Sequence, residues 1–151
     1  VEPVFVYNCE IWTLTKNLEQ KIVTFQRKLI KQILNKIYPD IITNVDLYKQ
    51  TETKEWTKTI RKRRLTWFGH VLRMDKDTPA RLALEEFTKP RKKRVGRPHN
   101  TWLTNVLKDI KENGNIRNID LGHSMKDTVK NLQTVCDDRK RWTEIVRCMM
   151  L

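Results

Sequence analysis

Between positions 54 and 74 the apolar residues return every third or fourth place, a spacing that a helix buries on one side and a strand cannot use. On a wheel at about 100° per residue, Trp56, Ile60, Trp67, Val71 and Met74 cluster tightly. Leu65, Phe68 and Leu72 widen that arc to about half the circumference. Lys58, Lys62 and Arg73 lie opposite. Arg64 instead falls inside the arc, between Val71 and Phe68, with Arg61 near it. An arginine there must snorkel, pair with a carboxylate, or meet a ligand phosphate. Gly69 is the second irregularity. A mid-helix glycine costs about 1 kcal/mol relative to alanine and is tolerated where something must approach the backbone closely.

The same periodicity continues along the chain, which has only four glycines in 151 residues. Leu18, Ile22, Phe25, Leu29 and Ile33 predict a helix to about Asn35, with Asn17 and Gln20 as a capping box and Pro39 beyond its end. Thr43 caps a short helix through Tyr48. Positions 75–79 break the pattern, and 81–87 form a short amphipathic piece, helix or strand. Asn100 or Thr101 starts a helix carrying Trp102, Leu103, Val106, Leu107 and Ile110, which Asn113-Gly114 ends. Ser124 with Asp127 caps a helix through Val135, and Asp137 or Asp138 opens a last one with Trp142, Ile145, Val146 and Met149. The opening run of Val4, Phe5, Val6, Ile11 and Trp12 reads as a strand or a helix end. It lacks an upstream partner, and Val1 is not an initiator methionine, so the chain is expected to be cut from something larger.

These elements give an all-α chain of two small helical subdomains, 1–88 and 101–151. A basic loop containing Pro and Gly, 89–100, joins them. Its sequence, KPRKKRVGRPHN, holds two prolines, one glycine and seven basic residues counting His99, which excludes a packed element.

Charge narrows the function. Lys and Arg number 31 against 18 Asp and Glu, a net of +13. Segment 54–97 alone holds fifteen basic against five acidic residues, a net of +10. Such a surface attracts polyanions, with nucleic acid the leading partner ahead of anionic membrane and acidic protein. No apolar run approaches the length of a membrane span, and the opening residues lack a secretory signal. Three scattered cysteines, Cys9, Cys136 and Cys148, form no disulfide framework and point to a reducing intracellular compartment, nuclear or cytoplasmic. Expected phosphate contacts on the helix are Arg61, Lys62, Arg63, Arg64 and Arg73, because arginine forks match phosphate oxygens. His70 is expected to bond to backbone or phosphate. Arg91, Lys92, Lys93, Arg94 and Arg97 are the flexible contacts, expected to order on binding. Trp56, Trp67, Trp102 and Trp142 fall on apolar stripes and read as core anchors rather than stacking platforms.

Nothing in the chain promises chemistry. The sequence around Gly96 lacks a Walker spacing, no paired aspartates of a polymerase are present, and the cysteines and histidines show no zinc spacing. Neither a cofactor nor a small-molecule substrate is expected. Pro39-Asp40 with Asp138-x-Lys140 spells a restriction-type nuclease pattern, but such short strings arise readily by chance and Asp138 heads a helix.

Several blocks stand together in one order: Cys9-Glu10-x-Trp12-Thr13-Leu14, Arg63-Arg64-Leu65-x-Trp67-Phe68-Gly69-His70-Val71-x-Arg73-Met74, Gly96-Arg97-Pro98-x-x-x-Trp102, and Asp138-Arg139-x-x-Trp142. Over nearly its whole length the chain resembles the C-terminal region of reverse transcriptases encoded by non-LTR, LINE-like retrotransposons. The resemblance implies a region downstream of the polymerase palm, on the thumb side, that helps hold template RNA or target DNA. The palm and the endonuclease would lie upstream, so this chain would bind nucleic acid and the upstream core without catalysing a reaction itself. Asn8 stands where that family carries Gly, and Asn tolerates a left-handed backbone. Two alternatives remain: a structural docking module for the polymerase core, and a stand-alone helical DNA-binding protein.

Overall fold

Capping side chains mark where five of the helices begin. In a computed structural model of the chain, described for residues 2–36, 41–89, 96, 100–112 and 124–148, every regular element is helical. α1 spans Glu2–Phe5, and a 3-10 turn follows over Cys9–Ile11. α2 spans Lys16–Ile33, α3 Asn44–Thr51, α4 Trp56–Leu72 and α5 Pro79–Thr88. α6 spans Trp102–Glu112, α7 Met125–Asp137 and α8 Arg139–Cys148. The all-α expectation holds.

Some caps differ from the sequence reading. α2 is capped by Thr15, whose Oγ1 accepts from the Leu18 amide at 3.3 Å, two residues before the predicted Asn17. Thr43 caps α3 as expected, accepting from the Asp46 amide at 3.2 Å. Thr101 and Thr104 cap α6 reciprocally, each amide donating to the other's Oγ1. Ser124 caps α7 through the Lys126 amide rather than through Asp127. Asp138 Oδ1 accepts from the amides of Lys140 at 2.9 Å and Arg141 at 3.1 Å, so it is the helix cap of α8. Asp138 is the acidic residue of the nuclease pattern, whose Pro39-Asp40 half lies outside the described residues. The 81–87 piece is a helix because Pro79 occupies its first turn, where a missing amide costs nothing.

α4 is the central element. Its apolar arc packs against α7 and α8 toward one end, and against α2 and the 3-10 turn toward the other. The main core gathers Leu65, Phe68, Val71, Leu72 and Leu84 with Leu103, Val106, Ile110, Leu132, Cys136, Trp142 and Val146. Residues from both sides of 89–100 therefore share one core, rather than closing two separate ones. The apolar faces of α4 and α6 are each too wide to be covered within their own stretch. A smaller cluster joins Val6, Cys9 and Leu14 to Ile60. Burial pushes the Cys9 thiol up, and raises that of Cys136 to about 12, so both act as small apolar residues.

Gly69 explains how α8 reaches α4. The Nε1 edge of the Trp142 indole approaches the helix at this point and donates to the Leu65 carbonyl at 3.1 Å. A Cβ at position 69 would overlap the indole ring. The close approach expected at Gly69 is thus made by a side chain. Gly69→Ala is expected to destabilise the protein by about 1–3 kcal/mol despite alanine's better helix propensity. Urea unfolding of Gly69→Ala measures this; an unchanged or raised midpoint would refute the packing role.

Candidate nucleic-acid interface

Arg64 follows from α4 being buried on its apolar side. The residue is 1% exposed. Its Nε and Nη2 both donate to Asp109 Oδ2, at 2.9 and 2.5 Å, and Nη1 donates to the Trp12 carbonyl at 3.2 Å. Of the three uses open to an arginine in the apolar arc, the structure has the carboxylate pair. Arg64 is unavailable to a ligand phosphate, which corrects its place among the expected contacts. Burial raises the Asp109 carboxyl above its ordinary value. The charge and hydrogen bond of Arg64 and the charge of Arg61 pull it down, and Glu19 adds to the rise. A carboxyl raised in the folded state stabilises fully below its unfolded value and loses that contribution as pH rises through its folded one. Both groups leave water in forming this pair, so their attraction is offset by the cost of burying the charges.

Arg61 is also largely committed. Its Nη2 donates to Glu19 at 3.2 Å, Nη1 lies 3.6 Å from Glu112, and Nε lies 3.7 Å from Asp109. Arg61 is thus a clamp between α2, α4 and α6. A groove of about 610 Å³ passes it, lined also by Lys16, Arg27, Lys108, Glu19, Glu55 and Glu112. Its cations and carboxylates nearly balance, so it offers little net field to a polyanion.

The opposite side of α4 is different. Thr59, Lys62, Arg63, Thr66, Trp67, His70 and Arg73 recur at three- and four-residue steps and form one stripe, about 21 Å long at 1.5 Å per residue. With Glu10 and Arg139 they line a second groove of about 490 Å³. Four cations face one carboxylate there. Arg63 Nη1 donates to the Val6 carbonyl at 2.9 Å and lies 3.8 Å from Glu10. Arg73 Nη1 donates to the Cys136 carbonyl at 2.8 Å, at the end of α7. Those bonds fix the orientation of each guanidinium, a fork of five N–H donors. Lys62, His70 and Arg139 are exposed.

Lys62, Arg63, His70 and Arg73 are thus brought together from the expected set. Arg64 turns inward, and Arg61 lines the other groove beside Glu19 and Glu112. Arg91, Lys92, Lys93, Arg94 and Arg97 lie outside the described residues. Trp67 and Arg139 were not expected at the site. Trp67 could have been found from its steps to Arg63 and His70, whereas Arg139 reaches the groove only through the docking of α8. Among the described residues no group of three or more His, Cys, Asp or Glu could hold a metal ion, and no helix is long and apolar enough to cross a membrane.

The blocks that carry the family resemblance meet in this fold. Asn8 adopts φ 54° and ψ 26°, the left-handed backbone expected where the family has glycine. The Trp102 Nε1 donates to the Glu10 carbonyl at 2.7 Å, while Asn100 and Asn105 donate to the Leu14 carbonyl at 2.9 and 3.1 Å. The chain is 24% identical to an uncharacterized transposon-derived protein of Caenorhabditis elegans, over 97% of this chain and 51% of that protein. It therefore spans about half the length of that relative. No protein family profile matches the chain. No solved structure matches it. The similarity agrees with an origin in a transposable element.

Removing either partner of the buried pair is expected to cost about 3–5 kcal/mol, as in Arg64→Met or Asp109→Leu, while the double variant returns close to wild type. Denaturant unfolding of the four proteins makes the cycle. Additive losses in the double variant would contradict the coupling of the two side chains.

Proposed function

We propose that this chain is the nucleic-acid-binding C-terminal part of a non-LTR retrotransposon reverse transcriptase, holding template RNA or target DNA without catalysing a reaction itself. The observation that carries the proposal is the α4 groove, where Lys62, Arg63 and Arg73 from α4 and its C-terminal end, with Arg139 from α8, face one carboxylate. Phosphate oxygens match such cations without any reading of sequence. The basic stretch 89–100 adds charge to the same chain. Polymerase and endonuclease chemistry would belong to the upstream part of the protein.

The upstream core is the proposed protein partner. α1, α2 and the stretch between them offer an exposed apolar side in Val4, Tyr7, Ile11, Phe25 and Ile33, while Glu10 of the same stretch lines the basic groove. A docking role for that side is compatible with nucleic-acid binding by the other.

Binding to RNA and to DNA, titrated against salt, tests the proposal. Contact with about six phosphates gives a slope of log K on log salt near −5. Lys62→Ala and Arg139→Ala are each expected to lessen the slope by about 1. Replacing 91–94 with serine is expected to weaken binding to all sequences alike. A flat salt response, or wild-type binding by Lys62→Ala/Arg139→Ala, would overturn the proposal.

A further inference from the structure

Five tryptophans anchor this chain, and one of them differs in setting. Trp56 and Trp142 are buried, and Trp102 gives its indole N–H to a backbone carbonyl. Trp12 and Trp56 belong to an aromatic group around Phe5. Trp67 packs one part of its ring on the main core, is half-buried, and lines the basic groove. Its neighbour there is the exposed His70, with ring centroids 5.3 Å apart and planes tilted by 52°. Both rings lie between Lys62 and Arg63 on one side and Arg73 on the other along the α4 stripe.

An aromatic face among cations suits a strand whose bases are free. The cations hold consecutive phosphates while a base turns inward and stacks on the ring. In a duplex the bases are already stacked on one another, so only the phosphates could use this groove.

We infer that the groove takes an unpaired stretch of RNA or DNA, with Trp67 and His70 as the stacking surface for a base. The inference rests on the reading of the chain as a nucleic-acid binder and specifies the ligand's state. It goes beyond charge, because it assigns part of the affinity to two rings that carry no phosphate contact.

Binding by the full chain to an unpaired RNA, an unpaired DNA of the same sequence, and the corresponding duplex, at one salt concentration, separates the cases. Wild type is expected to prefer at least one unpaired strand over the duplex by roughly tenfold. Trp67→Leu is expected to lose roughly tenfold on unpaired strands and nothing on the duplex, and Trp67→Phe to keep most of the affinity. Equal affinity for unpaired and duplex ligands, or an equal loss on both in a folded Trp67→Leu, would overturn the stacking inference and leave backbone binding standing. His70→Ala, on the exposed face, makes the same comparison if Trp67→Leu does not fold, and a loss shared by the duplex would again overturn it. Failure of wild type to bind any of the three ligands would overturn the parent proposal as well.

Discussion

The buried pair of Arg64 and Asp109 ties the chain together. Arg64 sits on α4, Asp109 on α6, and the same guanidinium holds the Trp12 carbonyl near the N-terminus. Three segments far apart in sequence therefore meet on one side chain. Each alone would leave a buried polar group without a partner, and such groups are costly in an apolar interior. The carbonyls of Glu10 and Leu14 are taken up by α6 side chains in the same way. Burial raises the Asp109 carboxyl even beside two arginines, so the attraction within the pair is offset by the cost of taking its charges out of water.

That arrangement divides α4 between two tasks. One side holds the core, with Arg64 and Gly69 making the exceptions that the docking of α6 and α8 requires. The other side is free to carry charge. Arg63 and Arg73 link the two, because each donates to a carbonyl of the fold and also lines the groove. A cation held this way loses less rotamer freedom when a phosphate arrives than a free lysine does.

Much of the helix pattern was legible in the sequence because apolar spacing is a local signal. The wheel of α4 located both the arc and its two misfits. Gly69 was read correctly as a place of close approach, although its visitor, Trp142, lies over seventy residues away in sequence and could not be named. Arg64 was left between three readings for the same reason, since Asp109 is 45 residues distant and spacing says nothing about which acid will meet it. The separation into two halves at 89–100 was suggested by composition, but composition does not show that α4 and α6 need each other's apolar faces. At the groove, charge alone marked Lys62, Arg63 and Arg73. It passed over Trp67, whose apolar periodicity concealed a half-exposed face, and Arg139, which arrives only through the α7–α8 turn.

The central claim is that residues on both sides of 89–100 fold as one unit around α4. Equilibrium urea unfolding, followed in one sample by tryptophan fluorescence and by far-ultraviolet circular dichroism, tests it most directly. Trp12, Trp56 and Trp67 report on one side of the stretch, and Trp102 and Trp142 on the other. A shared core requires a single transition with coincident curves from the two probes. Two separated transitions, or curves that do not superimpose, would contradict it.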